Sequence, residues 1–217
     1  MVDVTMSRVK SLAWTDDPKA AKLLAEDPLA LLVGFLLDQQ VPMEWAFGAP
    51  YTLKQRLGGK LDARTLATIE PERLVQHFLT KPPLHRYPAA MARRTQKLAQ
   101  VILEEYDDDP ARIWREAADA AEVSKRIAKL PGFSAGKARV IIAVLVKQLG
   151  ADIPGWERFA PDWYSLADVR TKEDLLRYRE IKRAAKRAGD WPPGNAKAKP
   201  KLPRKATPKP ARKAKRA

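Results

Sequence analysis

Apolar residues recur along most of the chain three to four positions apart, which is the period of helices that bury one face. Residues 28–40 are apolar on nearly all sides, and this pattern predicts a buried helix. Pro42 fits the first turn of a following helix, which Gly58 and Gly59 would end. Further helices are predicted to begin at Asp62, Pro71 and Pro88. No stretch of strand length that is bounded by hairpin turns alternates between apolar and polar residues, and no repeat has a fixed period. The predicted class is all-α.

Residues 121–150 predict two helices joined by a tight turn. In that turn the backbone N–H groups of Gly132, Ser134 and the start of the second helix point outward together, an arrangement that binds anions. Lys137 and Arg139 add positive charge beside it. The alternative is an ordinary pair of helices with glycine in the turn.

The charge of the chain is concentrated at one end. The 217 residues carry 41 Lys and Arg against 26 Asp and Glu, a net charge of +15, and ten of the basic residues lie in residues 192–217, which contain no acid. This proline- and alanine-rich tail has almost nothing to bury, so we expect it to be disordered, apart from a body of residues 1–191. A polycationic arm suits nucleic-acid phosphates through counterion release, and a solubilising tail is the alternative.

The composition excludes several classes of protein. With no Cys and two His, there is no disulfide scaffold, thiolate metal site, iron–sulfur cluster or cysteine nucleophile, and we expect no cofactor. We also expect no membrane span and no signal peptide, and therefore a cytoplasmic, nucleoid-associated protein. The acidic run 107–109 precedes Pro110 and is predicted to cap a helix rather than to hold a metal.

Three segments resemble the helix-hairpin-helix (HhH-GPD) superfamily of base-excision DNA glycosylases, the group that includes endonuclease III and the adenine glycosylase. Residues 130–138, Leu-Pro-Gly-Phe-Ser-Ala-Gly-Lys-Ala, are similar to the family's hairpin and the helix after it. Residues 31–47 are similar to its buried helix ending in Gln-Gln, and residues 84–102 to the segment whose Tyr leads into the helix before the hairpin. Together they cover roughly residues 21–150, as an atypical, shortened member.

The resemblance implies a bilobal helical monomer that holds kinked double-stranded DNA in a cleft. A damaged base would be flipped into a pocket, because a glycosidic bond cannot be reached inside the base stack. The hairpin amides would bind phosphates, a glutamine would fill the gap left by the flipped nucleotide, and a tyrosine would contact the bent backbone. The residues assigned in this way are Gly132, Ser134, Gly136, Lys137, Arg139, Gln39, Gln40 and Tyr87.

The chain also departs from the family pattern. Ser134 stands where a second hairpin glycine is usual. Gly136 stands where bifunctional members carry the lysine that forms a Schiff base, and Lys137 is one place later, so the resemblance implies a monofunctional enzyme. The iron–sulfur loop of some members is absent, as a chain without Cys requires.

The region after the hairpin offers several carboxylates for the catalytic role. Family members place an aspartate about two dozen residues after the hairpin leucine, where its charge stabilises the cationic sugar as the base leaves. This chain has Asp152, Glu157, Asp162 and Asp168 in that region, without the family's signature. Asp152 follows the second hairpin helix directly and is the predicted catalytic residue. Asp168 could instead cap the last predicted helix, residues 171–188.

Three functional hypotheses follow from these patterns. The first is a monofunctional DNA glycosylase that hydrolyses the N-glycosidic bond of a damaged base. The second is a non-catalytic protein that keeps the hairpin and the cleft and recognises damaged or bent DNA. The third is a nucleic-acid compaction protein whose tail supplies most of the affinity.

Overall fold

A computed structural model describes residues 8–190 of the chain, and its regular structure in that range is entirely helical. The all-α prediction is confirmed for this part, and none of these helices is long and apolar enough to cross a membrane. The predicted tail, residues 192–217, lies outside the described residues. The helices are α1 (Pro18–Glu26), α2 (Pro28–Leu37), α3 (Met43–Arg56), α4 (Ala63–Thr68), α5 (Pro71–Leu79), α6 (Pro88–Tyr106), α7 (Arg112–Arg115), α8 (Ala120–Lys129), α9 (Ala135–Lys147) and α10 (Lys172–Ala188).

Short polar side chains set most of the helix starts. Asp27 ends α1 and caps α2, because one of its carboxylate oxygens accepts hydrogen bonds from the backbone of Leu29 at 2.9 Å and of Ala30 at 3.1 Å. Asp62 caps α4 in the same way. Thr171 caps α10 and exchanges hydrogen bonds with Asp174 in a capping box.

Two predicted boundaries differ from the structure. The helix predicted to run to residue 40 ends at Leu37, because the backbone turns away at Asp38. The acidic run 107–109 does not act as one cap. Asp107 ends α6 in the left-handed conformation and accepts a hydrogen bond from the Arg112 side chain, and Asp108 accepts one from the Arg64 N–H of α4. Of the three, Asp109 is the one that accepts a backbone hydrogen bond from the next turn, from the Ala111 N–H at 2.9 Å.

The core is built around α2, in which every residue after Pro28 is buried. Phe35 of α2 packs edge-on against Phe47 of α3 and against Trp14, with ring centroids 5.3 and 5.7 Å apart. Gly34 lets α3 come this close, since a Cβ atom there would lie 2.7 Å from the Phe47 ring. The all-round apolar pattern of residues 28–37 therefore marks the helix that the others surround.

The remaining helices pack in sequence-local groups. Helices α4 and α5 pack on α6, α8 packs on α9, and α9 also contacts two short 3₁₀ turns at residues 156–158 and 166–168. Helix α10 buries Leu175 and Tyr178, and ion pairs tie it to the body: Arg179 pairs with Glu44, and Lys182 with Asp38 at 3.9 Å. This position makes α10 one wall of a cleft.

Candidate nucleic-acid interface

A cleft of about 940 Å³ lies between the end of α2, the start of α9 and the inner face of α10. Four of the residues predicted to bind DNA line it, although about ninety residues separate the two segments that carry them: Gln40, Ser134, Gly136 and Lys137. Lys182 and Lys186 of α10 line the opposite wall, and Arg86 lies at the rim. The other predicted residues, Gln39, Gly132, Arg139, Tyr87 and Asp152, are not among the residues that line the cleft.

The hairpin turn between α8 and α9 is pressed against α2. Gly132 has φ +84°, and a Cβ atom there would lie 2.5 Å from Leu36 Cδ1. Glycine is therefore required twice, once for the left-handed backbone and once for the close approach. Gly132 holds the hairpin in place rather than lining the cleft.

Ser134 opens α9 as its N-cap. Its backbone is extended, with φ −135°, so the position does not need the glycine that the family pattern has there. Its hydroxyl oxygen accepts a hydrogen bond from the Lys137 N–H at 3.3 Å. The N–H groups of Ala135 and Gly136 have no acceptor inside the helix, and both residues line the cleft. The start of α9 thus presents backbone donors to the cleft, with the helix dipole adding positive potential.

Lys137 carries its ammonium group into the partly buried cleft wall. The group donates a hydrogen bond to the Phe35 carbonyl oxygen of α2 and lies 5.7 Å from the centre of the Phe133 ring. Burial, together with the charges of Lys182 and Arg94 and against the opposing charge of Asp38, lowers the pKa of Lys137 to about 8. The lysine therefore sits close to its titration point at neutral pH and joins α9 to α2.

The two neighbouring glutamines have different environments. The Gln39 side chain donates a hydrogen bond to the Leu36 carbonyl at 2.7 Å and accepts one from Arg94 at 3.3 Å. Gln40 is exposed, lines the cleft and has φ +60°, a conformation that is uncommon for a residue other than glycine. Of the two, Gln40 is the one that lines the cleft.

His85 fixes the loop that carries Arg86 and Tyr87. The imidazole is buried, its Nδ1 accepts a hydrogen bond from the Tyr87 N–H at 3.0 Å, and its Nε2 donates one to the Gln39 carbonyl at 2.9 Å. These bonds require the neutral ring with its proton on Nε2, and burial lowers the pKa of His85 accordingly. The loop is thereby tied to the end of α2.

Arg139 is occupied within the fold. Its guanidinium donates hydrogen bonds to the carbonyls of Phe159 and Ala160 at 3.1 and 3.0 Å and lies over the Trp163 ring at 5.0 Å. It holds the segment after α9 against the hairpin helix. Its predicted contact with DNA remains a prediction, and the observed contacts are structural.

The four carboxylates considered for catalysis are not among the residues that line the cleft. Asp152 and Glu157 are exposed, and Asp162 is an exposed partner of Arg139 at 4.0 Å. Asp168 accepts hydrogen bonds from Lys147 at 2.7 Å and from Ser165, which lowers its pKa against the opposing effect of burial. Ser165 is the N-cap of the 3₁₀ turn at residues 166–168 and Asp168 closes its capping box, whereas Thr171 caps the last helix.

The carboxylate that does line the cleft is Asp38, which follows α2 directly and is largely buried. It pairs with Lys182, and its charge acts on Lys137 and raises the pKa of Tyr178, after the larger effect of burial. Sequence reasoning missed Asp38. The available signal was one acidic residue interrupting the otherwise apolar stretch before Gln39 and Gln40.

Among the described residues no group of His, Asp and Glu is arranged to hold a metal ion. The comparisons with known proteins add no assignment: no protein-family model matches the chain, and no curated protein or solved structure matches it either.

Proposed function

We propose that this protein binds double-stranded DNA in the cleft and recognises damaged or bent sites, as the non-catalytic hypothesis describes. The observation that carries the proposal is the convergence of Gln40, the amides that open α9 and the basic side chains of α10 on one cavity. Phosphates are bound by such amides and cations, and an exposed side chain between them can enter the base stack where the duplex is weakened.

The charge in the cleft supports a polyanionic ligand. Lys186 and Arg86 are exposed at its rim, and its one carboxylate, Asp38, is already paired with Lys182. A ligand with a chain of phosphates could therefore pair with Lys186 and Arg86 without displacing Asp38 from Lys182. Compaction by the tail alone would not need this cavity.

The test uses two variants and a matched control. Arg86→Gln and Lys186→Gln should each weaken binding to a duplex uniformly across sequences and make the salt dependence of affinity shallower by about 1. Lys22→Gln removes an exposed lysine of α1, outside the cleft lining, and should leave that slope unchanged. Equal slopes for all three variants and the native protein, measured by fluorescence anisotropy, would refute binding in the cleft.

Gln40 tests the recognition of damage. Gln40→Ala should reduce the preference for a duplex that contains an abasic site over an intact duplex, because the gap is no longer filled. Gln39→Ala removes the Leu36 contact and should lower stability instead. A native protein that binds both duplexes equally would contradict recognition of damage and leave only duplex binding.

Asp38 favours a second candidate function, the monofunctional glycosylase. A carboxylate in the cleft could stabilise the positive charge that develops on the sugar. The assay is a panel of duplexes that each carry one modified base, followed by alkaline cleavage at abasic sites. Asp38→Asn should abolish excision, whereas Lys182→Met breaks the same ion pair and keeps the carboxylate. Equal losses would assign Asp38 a structural role, and no excision by the native protein would exclude the enzyme on that panel.

A further inference from the structure

A row of aromatic side chains lies beside the cleft, on the loop before α6 and the start of α3. The His85 ring neighbours both Trp45 and Tyr87, with ring centroids 6.4 and 6.0 Å away, so the Trp45 and Tyr87 rings are at most about 12 Å apart. His85 is buried, whereas Trp45 is 36% and Tyr87 43% exposed. Two exposed aromatic rings thus neighbour one buried ring and are open to a ligand.

The rings of this aromatic row are held in position. The Trp45 indole donates a hydrogen bond to the Pro83 carbonyl at 2.9 Å, and the Tyr87 backbone donates one to His85. Little side-chain entropy remains to be lost when a ligand stacks on Trp45, whereas the bond at Tyr87 fixes the backbone that carries the ring. Exposed aromatic rings that are already ordered suit flat ligands.

A second cavity of about 580 Å³, which we call the basic hollow, is linked to this loop by Arg56, which lines it and donates a hydrogen bond to the Pro82 carbonyl. Arg56, Arg73 and His77 line it together with two threonines, and within residues 8–190 no carboxylate lines it. Burial lowers the pKa of His77, and the charges of Arg73 and Arg56 lower it further, as expected when like charges face each other without a counter-ion.

The aromatic row and the basic hollow share one segment of backbone. Arg56 donates hydrogen bonds to the carbonyls of His77 and Pro82 at 2.5 and 2.7 Å, and Trp45 binds the adjacent Pro83. At the other end Arg86 lies over the Tyr87 ring at 5.4 Å and lines the cleft. The aromatic row is therefore joined to the basic hollow through Arg56 and the backbone at Pro82 and Pro83, and to the cleft through Arg86; we call these residues together the mixed surface.

We propose that this surface binds unpaired nucleotides of a DNA strand, with bases stacked on Trp45 and Tyr87 and phosphates held by Arg86 and the basic hollow. Nonspecific single-strand sites combine these same two elements, stacking platforms and a cationic groove. Trp, Tyr and Arg also favour protein partners. The uncompensated cations of the basic hollow favour a polyphosphate. The proposal concerns a surface next to the cleft, so it can fail while duplex binding in the cleft stands.

The test compares two labelled strands of equal length by fluorescence anisotropy, a short oligothymidine and a strand of abasic sites that has the same phosphates without bases. Trp45→Leu and Tyr87→Leu should each weaken binding of the oligothymidine about tenfold, within the range known for loss of one base stack. Neither should change binding of the abasic strand.

Further variants separate the ring from its hydrogen bond and the bases from the phosphates. Trp45→Phe keeps a stacking face but loses the bond to Pro83, so it should bind the oligothymidine better than Trp45→Leu does. Arg73→Gln should weaken both strands and make the salt dependence shallower by about 0.7. Leu176→Ala changes an exposed apolar residue of α10 and should alter neither.

The proposal is overturned if Trp45→Leu and Tyr87→Leu bind oligothymidine as the native protein does, which would leave a protein partner as the occupant. It is also overturned if Trp45→Phe is as weak as Trp45→Leu, because the hydrogen bond and not the ring would then carry the effect. Loss of duplex binding in the Lys186 variant is measured separately and decides the cleft alone, because Arg86 belongs to both surfaces.

Discussion

Gly132→Ala tests whether the hairpin turn is locked onto α2. Two costs add at this position. The left-handed backbone, φ +84°, costs an alanine about 1–2 kcal/mol, and the methyl group placed 2.5 Å from Leu36 Cδ1 adds roughly 1–3 kcal/mol of overpacking. We expect a loss of about 2–5 kcal/mol, read as a lower urea midpoint and a melting temperature lower by roughly 4–20 °C.

Gly58→Ala is the matched control for this experiment. Gly58 has φ +74°, and a Cβ atom there would have nothing within 4 Å, so only the backbone cost of about 1–2 kcal/mol applies. The difference between the two substitutions isolates the contact with α2.

A double-mutant cycle with Leu36→Ala identifies the partner. Shortening Leu36 removes the atom that the new methyl group meets, so Gly132→Ala should cost less in that background, by roughly 1–3 kcal/mol. If Gly132→Ala costs no more than Gly58→Ala and the cycle shows no coupling, the turn is not packed on α2 as described.

Three further predictions concern charge. The folded pKa of Lys137, about 8, lies below its ordinary 10.5, so the unfolded chain binds more protons between these two pH values. The free energy of unfolding in urea should therefore rise across that pH window in the native protein relative to Lys137→Met. Parallel pH profiles of the two proteins would contradict this. Because burial lowers the pKa of His85, its neutral ring stabilises the fold above pH 6.5, and this contribution should be lost as the pH falls below 6.5. The loss is measured as the difference in unfolding free energy between the native protein and His85→Asn. An equal response of both proteins to acid would disprove it. Deleting residues 192–217 removes ten basic residues and should make the salt dependence of duplex binding shallower by up to about 0.9 for each lost phosphate contact. The preference for damaged DNA should remain. Near-complete loss of binding would instead support compaction by the tail.

Local signals in the sequence predict most of the helices. The apolar pattern of α2, the proline and glycine positions around α3, and the turn before α9 depend on residues within a few positions of one another. Capping is local too, since Ser134 and Thr171 bond to groups three residues ahead. Helix starts and ends can therefore be predicted from the sequence without knowing which other helices each one packs against.

Which side chains meet in the cleft could not be predicted in this way. Asp38 and Lys182 are 144 positions apart, and only the packing of α10 against the body brings them together. Gln39 and Gln40 are adjacent and of one residue type, yet the first is bonded to Leu36 and Arg94 and the second faces the cleft. A catalytic or binding role depends on what a side chain contacts across such distances.

The sequence by itself determined the helical class, most helix boundaries and the concentration of positive charge in one terminal segment, because period, capping and composition are properties of neighbouring residues. The tertiary structure decided which of the charged residues are used within the fold. Arg139 and Asp168 are bound to backbone and side chains far along the chain, whereas Arg86 and Lys186 remain at the rim of the cleft. The physical reason is that burial and pairing are set by elements that meet only after the chain has folded.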